Sequence, residues 1–151
     1  FGEYLKLSEE HLKVLGMAGV MHDLGKRKIP KEIINKNGKL TEDEFNLMKS
    51  HPTFGIEILQ DLGETNQLLL DIIEQHHEKL DGSGYPKGLE GKEIHIFAQI
   101  MSVADIFDAL TTKRSYKEAM KSFEAFNIMH NHMKREINQK LLRKFMDFMS
   151  K

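Results

Sequence analysis

The sequence predicts an all-α domain, and three observations carry that prediction. Apolar residues recur at three- and four-residue spacing along most of the chain, helix-capping residues stand just before those runs, and no persuasive period-two alternation occurs. Ser8, followed by Glu9 and Glu10, reads as an N-cap with acids in the first turn, opening a helix that runs to about His22. Pro30 interrupts, a short helical piece surrounds Ile33 and Ile34, and NKNG (Asn35–Gly38) is a turn. Thr41 with Glu44 three residues later is a capping box for the next helix. Pro52 sits in the first turn of a helix that continues to about Leu62. Further helices are expected at about 66–77, 95–110, 122–132 and 138–149. Only DGSGYPKGLEGKEI resists a helical reading, a loop carrying Gly82, Gly84, Pro86, Gly88 and Gly91. With 151 residues and no internal repeat, the expectation is one compact helical bundle over 1–151 with a single long Gly/Pro loop.

Composition narrows the function classes. Hydrophobic residues make up 40 % and charged residues 30 %, which is ordinary for a folded domain. A formal net charge of −1 argues against a nucleic-acid polymer as partner, so an anionic ligand must be held by a local site. The absence of cysteine removes disulfides, thiolate metal sites and cysteine nucleophiles together, and fits a reducing, cytoplasmic setting. Apolar runs are broken by Asp71 and Asp105, so no membrane contact is expected of this segment. Because the chain opens with Phe1 rather than methionine, the lack of a signal peptide excludes nothing.

Periodicity aims the histidines inward. His22 extends the stripe of Leu12, Leu15 and Ala18; His51 aligns with Phe54, Ile58 and Leu62. His76 shares a face with Leu69 and Ile73, and His77 follows Leu70 and Ile73 on the neighbouring edge. Asp105 and Asp108 continue the stripe of Ala98 and Met101, beside that of Ile96, Ile100, Val103 and Phe107. Taken singly, each is more often a core histidine with a partner or a carboxylate facing water. Four helical segments doing this together point to a metal centre, because buried imidazole and carboxylate need partners. Donors of this kind, without thiolate, suit iron, manganese, zinc or nickel. His11, His95, His130 and His132 lack such company and read as surface or packing residues.

HDLGK (His22–Lys26), HP (His51–Pro52), HHEKLDGSGYP (His76–Pro86) and VADIFDALTTKRSYKEA (Val103–Ala119), in this order, resemble the HD-GYP domain, a bacterial branch of the HD phosphohydrolase superfamily. The resemblance implies hydrolysis of the second messenger cyclic di-GMP to the linear dinucleotide or GMP. The implied cofactors are two divalent metal ions, three in some members, with iron or manganese favoured. By position, the implied metal ligands are His22, Asp23, His51, His76, His77 and Asp105, with Asp23 bridging. Lys26 matches the lysine that contacts the scissile phosphate, and with Asp23 it forms the implied catalytic pair. Arg114 and Lys117 match basic positions that contact the ligand's phosphates. Gly84, Tyr85 and Pro86 are the motif at the rim of the site: Tyr85 offers a flat face to a base or partner, and Pro86 stiffens the exit. Gly82 and Gly84 are expected to let the backbone turn tightly and approach the ligand. Implied partners are cyclic di-GMP, a diguanylate cyclase domain, and an upstream receiver or sensory domain.

The chain departs from that pattern in one place. The family has a further metal-ligating histidine on the preceding helix, and no residue here matches it; Phe1–Lys6 reads as the tail of that helix. The expectation is therefore a domain lacking its N-terminal helix or helices, with that ligand lying upstream. The alternative is a catalytically incomplete module that binds a cyclic dinucleotide or a diguanylate cyclase without turnover. Hydrolysis of another cyclic dinucleotide is a third reading.

Overall fold

The computed structural model describes residues 1–113 and 119–151. Its helices are α1 (Glu9–Met21), α2 (Lys31–Ile34), α3 (Glu42–Met48), α4 (His51–Asp61), α5 (Gln67–Gln75), α6 (Ile96–Thr111), α7 (Ser122–Asn131) and α8 (Gln139–Met149). Two 3-10 turns, Leu24–Lys28 and Gly91–Glu93, complete the regular structure, and there is no strand among the described residues. None of the helices is long and apolar enough to cross a membrane.

Local chemistry starts most of these helices where the sequence places them. Ser8 accepts from the His11 amide at 3.3 Å and Asn66 from the Leu69 amide at 3.1 Å. The Thr41–Glu44 capping box is formed in both directions, at 3.3 and 2.7 Å. Asn138 accepts from two amides of α8, and His95, which reads as a packing residue, caps α6 by accepting from the Phe97 amide at 3.2 Å.

Helix α5 lies between α1, α4 and α6, and α6 in turn packs on α7 and α8. Ala18, Leu69, Ile72, Ile73, Val103, Met129 and Leu142 are sealed from solvent at the centre. Each buried Leu or Ile side chain contributes about 1.5–3 kcal/mol relative to exposure, so this seam fixes the helices that carry the histidines.

The expected stripe on α4 is displaced. His51, Pro52, Gly55 and Leu59 form its buried face, while Leu62 is 77 % exposed. The cause is a backbone-to-backbone contact that hydrophobicity cannot signal. A Cβ on Gly25 would lie 1.9 Å from the His51 carbonyl oxygen and 2.4 Å from the Gly55 nitrogen. The turn Leu24–Lys28 can lie on α4 only because position 25 has no side chain. On α6, Asp108 faces solvent and accepts from the Thr112 hydroxyl at 3.0 Å, so it leaves the inward stripe that Asp105 keeps. Phe1–Lys6 forms turns, with the Leu5 amide bonded to the Phe1 carbonyl and Lys6 at φ 58°.

The Gly/Pro loop is tied from beneath by Glu78. Its buried carboxylate accepts from the Lys87 amide at 2.7 Å and the Leu89 amide at 3.0 Å. Gly82 turns the chain at φ 78°, and Asp81 accepts from both the amide and the hydroxyl of Ser83. Gly84 also has a packing reason: a Cβ there would meet the Lys79 nitrogen at 2.3 Å and the Glu78 Cα at 2.5 Å. The loop is pressed onto the end of α5, and this seats Tyr85 over His77.

Candidate metal centre

Helix ends deliver most of the donors. His22 closes α1, Asp23 follows it at the start of the 3-10 turn, His51 opens α4, His76 closes α5 with His77 next, and Asp105 projects from the middle of α6. The spacing-based expectation of four helical segments converging on one point is met. Asp23, His51, His76 and His77 bring donor atoms within 4.8 Å of one another, as do His22, His76 and Asp105. His76 belongs to both groups, so they form one continuous cluster.

Three of the imidazoles are oriented by the same device. His22 Nδ1 donates to the Gly19 carbonyl at 2.9 Å, His51 Nδ1 to Met48 at 2.8 Å, and His76 Nδ1 to Ile73 at 2.7 Å. A carbonyl oxygen only accepts, so Nδ1 carries the proton and Nε2 presents its lone pair inward. This is the arrangement that fixes tautomer and ring angle in metal-ligating histidines.

Burial favours the neutral form of the His51, His76 and His77 rings. It holds His51 below its ordinary value and drives His76 down to about 4, and it also lowers His77, with His76 and His51 adding to the effect. His22 behaves differently. Burial works against its charge, but Asp105, 3.6 Å from Nε2, and Asp23, at 3.5 Å, outweigh burial and raise it. For Asp105, burial pushes upward, yet His22 and the surrounding imidazoles hold the carboxyl well below its usual range. The pocket thus holds ionised carboxylate beside lone-pair nitrogen, an arrangement that attracts a cation.

Two contacts test whether a cation fits. His51 Nε2 and His76 Nε2 stand 3.4 Å apart, two acceptors facing each other without a proton between them. Asp23 Oδ1 is buried with no hydrogen-bond partner among the described residues, although His51 Nε2 lies 3.5 Å away. Unpaired polar atoms in such a place are costly, and a divalent cation satisfies them together. The donor set fits a divalent metal.

Around the cluster, Lys26 Nζ reaches Asp23 Oδ2 at 2.7 Å. The Tyr85 ring stacks on His77 with centroids 4.8 Å apart, and burial raises its hydroxyl pKa, with Asp105 and Asp23 adding to the rise. A cleft of about 720 Å³ opens over His51, His77, Lys26 and Tyr85, walled by Ile33, Ile34, Leu40, Phe45 and Met48, with Lys36 and Lys39 at its edge. Gly84 and Pro86 flank Tyr85 without lining that cleft. Arg114 and Lys117 lie outside the described residues. Among the described residues, His11, His95, His130 and His132 are absent from the cluster. Sequence reasoning missed Glu78, although an acid directly after two inward histidines and before a Gly-rich loop was a usable signal.

Residues 1–141 match the HD domain family. The chain is 50 % identical over 120 residues to the cyclic di-GMP phosphodiesterase response regulator RpfG of Xanthomonas campestris pv. campestris, covering 78 % of this chain and 31 % of that protein. It is 40 % identical over 129 residues to 3'3'-cGAMP-specific phosphodiesterase 1 of Vibrio cholerae, covering 85 % of this chain and 30 % of that protein. The chain therefore spans about a third of the length of these relatives. In fold it is similar to Bd1817, an HDG"Y"P protein from Bdellovibrio bacteriovorus, with a TM-score of 0.78 at 24 % identity over 99 % of this chain and 48 % of that one. With the match running through every element that carries the cluster, the chain belongs to the HD domain family.

Proposed function

We propose that this chain hydrolyses a phosphodiester bond of cyclic di-GMP, giving the linear dinucleotide or GMP, at a divalent-metal centre held by His22, Asp23, His51, His76, His77 and Asp105. The observation that carries the reading is the cluster of facing lone pairs and the unpartnered Asp23 Oδ1 beside a cleft of about 720 Å³. Asp23 is suited to serve two ions, because Oδ2 faces His22 at 3.5 Å and Oδ1 faces His51 at 3.5 Å. Iron and manganese suit this imidazole and carboxylate set. When bound, the ions supply Lewis-acid polarisation of the phosphoryl group and a lowered pKa for attacking water.

The chain's own residues do the rest. Lys26, held near the centre by Asp23, neutralises charge developing on the phosphoryl oxygens. Tyr85, fixed against His77, and the apolar wall of the cleft offer flat and greasy contact for a base. The relatives' names support a cyclic dinucleotide as substrate. The response-regulator name of one relative also supports a regulatory domain elsewhere in the polypeptide. A diguanylate cyclase domain is the further partner we propose for the Gly84–Tyr85–Pro86 surface. An intracellular messenger as substrate would be consistent with activity in the cytoplasm.

The test is to load the protein with Mn²⁺ or Fe²⁺ and follow cyclic di-GMP and 3'3'-cGAMP by chromatography. Accumulation of linear dinucleotide or mononucleotide is expected. Intact cyclic dinucleotide, bound but not cleaved by metal-loaded protein, would instead establish the binding module.

A further inference from the structure

The turn Leu24–Lys28 and the start of α2 concentrate cations: Lys26, Arg27, Lys28 and Lys31 fall within a few residues. Two of them are committed. Lys26 pairs with Asp23 at 2.7 Å, and Lys28 pairs with Glu57 at 2.7 Å while lying over the Phe54 ring at 5.6 Å. Arg27 and Lys31 make no ion pair among the described residues. Both line a second opening of about 470 Å³, together with Asp23, Lys26, Ile29 and Ile34. That opening shares Lys26 and Ile34 with the lining of the larger cleft. Asp23 thus borders a second opening, one lined by two uncommitted cations.

A basic edge of this kind is usually just solvated. Its position argues otherwise here, because the opening includes Asp23, a member of the metal cluster, and Glu32, the acid next in sequence, does not line it. The substrate chemistry supplies the need. A cyclic dinucleotide carries two phosphodiesters, so one remains to be held when the other lies at the centre, and Arg114 and Lys117, to which the resemblance assigns phosphate contacts, lie outside the described residues. A chain of net charge −1 gives it no general attraction.

We propose that Arg27 and Lys31 form a subsite for the second, uncleaved phosphate of the cyclic dinucleotide. Arg27 supplies a planar fork matched to two phosphoryl oxygens, and Lys31 supplies a point charge. The inference rests on the phosphodiesterase reading and adds to it a residue pair that makes the site prefer a ligand with two phosphates over a simple diester.

The test is the double variant R27A/K31A of the whole chain, loaded with Mn²⁺. Two probes are compared by calorimetry and by inhibition: a hydrolysis-resistant phosphorothioate cyclic dinucleotide, and bis(4-nitrophenyl) phosphate, which has one phosphate. The expected result is a Kd for the cyclic probe raised about tenfold or more, as for lost charge-assisted hydrogen bonds, with the one-phosphate diester, metal content and Tm unchanged. Equal Kd values for the cyclic probe in variant and wild type would overturn the subsite. So would proportional losses for both probes, which would mark a diffuse field. Wild type that binds the simple diester but not the cyclic probe removes the subsite and spares the metal centre. Binding of neither probe removes the parent reading and the subsite with it.

Discussion

Beside the cleft, His51 and His76 turn bare Nε2 atoms toward each other at 3.4 Å, while at its edge Lys36 pairs with Glu44, which also closes the capping box of the wall helix α3 with Thr41. The wall's carboxylate accepts from Lys36 and from the Thr41 amide, and these bonds hold its pKa below the usual range. The cluster's carboxylate leaves an oxygen buried without a partner. The wall is complete as the chain folds; the cluster is complete only with a cation. Substitutions in the two regions should therefore separate by what they change: metal and turnover in the cluster, local stability in the wall.

The largest effect is expected at the junction between them. Lys26→Ala should keep metal and fold but lower cyclic di-GMP turnover by roughly 100- to 1,000-fold, because it deletes a charge aimed at the phosphoryl oxygens and spares the imidazoles. Steady-state kinetics with matched elemental analysis decides it. Turnover within a few-fold of wild type would make Lys26 a bystander.

Next comes the contact that seats the turn on α4. Gly25→Ala drives a methyl into the His51 carbonyl, where no flexible side chain can yield. The backbone must shift, at a cost of about 1–3 kcal/mol, which lowers Tm by roughly 5 °C. Metal affinity should fall with it, since His51 and Asp23 lie on the two sides of that contact. A variant as stable as wild type would contradict the close packing. The smallest effect belongs to the wall: Thr41→Ala should cost about 1 kcal/mol, or 2–4 °C in Tm, and leave metal content untouched. Loss of metal in that variant would erase the distinction between the two regions.

These same regions show what can be read from sequence. Ser8 and Thr41 announce their helices because a cap is a local hydrogen bond between near neighbours. His22, His51, His76 and Asp105 were legible because polar side chains recurring on apolar faces demand a shared partner. The burial of α4 was not, because Gly25 and Gly55 make their contact through backbone atoms and leave no mark on a hydrophobic pattern. Gly84 has a packing reason of the same kind: the group that excludes its Cβ is the chain's own helix end. Arg27 and Lys31 look like any solvated pair until the fold sets them in one opening with Asp23.

The central claim is that the cluster is a divalent-cation site whose completion depends on Asp23. Thermal unfolding of the metal-free protein with increasing Mn²⁺ tests it directly. At a free metal concentration a hundredfold above Kd, one bound ion should stabilise the wild type by about 2.7 kcal/mol, so Tm rises with concentration. In Asp23→Ala the rise should be absent or shifted to much higher metal. A wild-type Tm that does not respond to Mn²⁺, Fe²⁺ or Zn²⁺, or an Asp23→Ala curve that follows the wild type, would contradict the account.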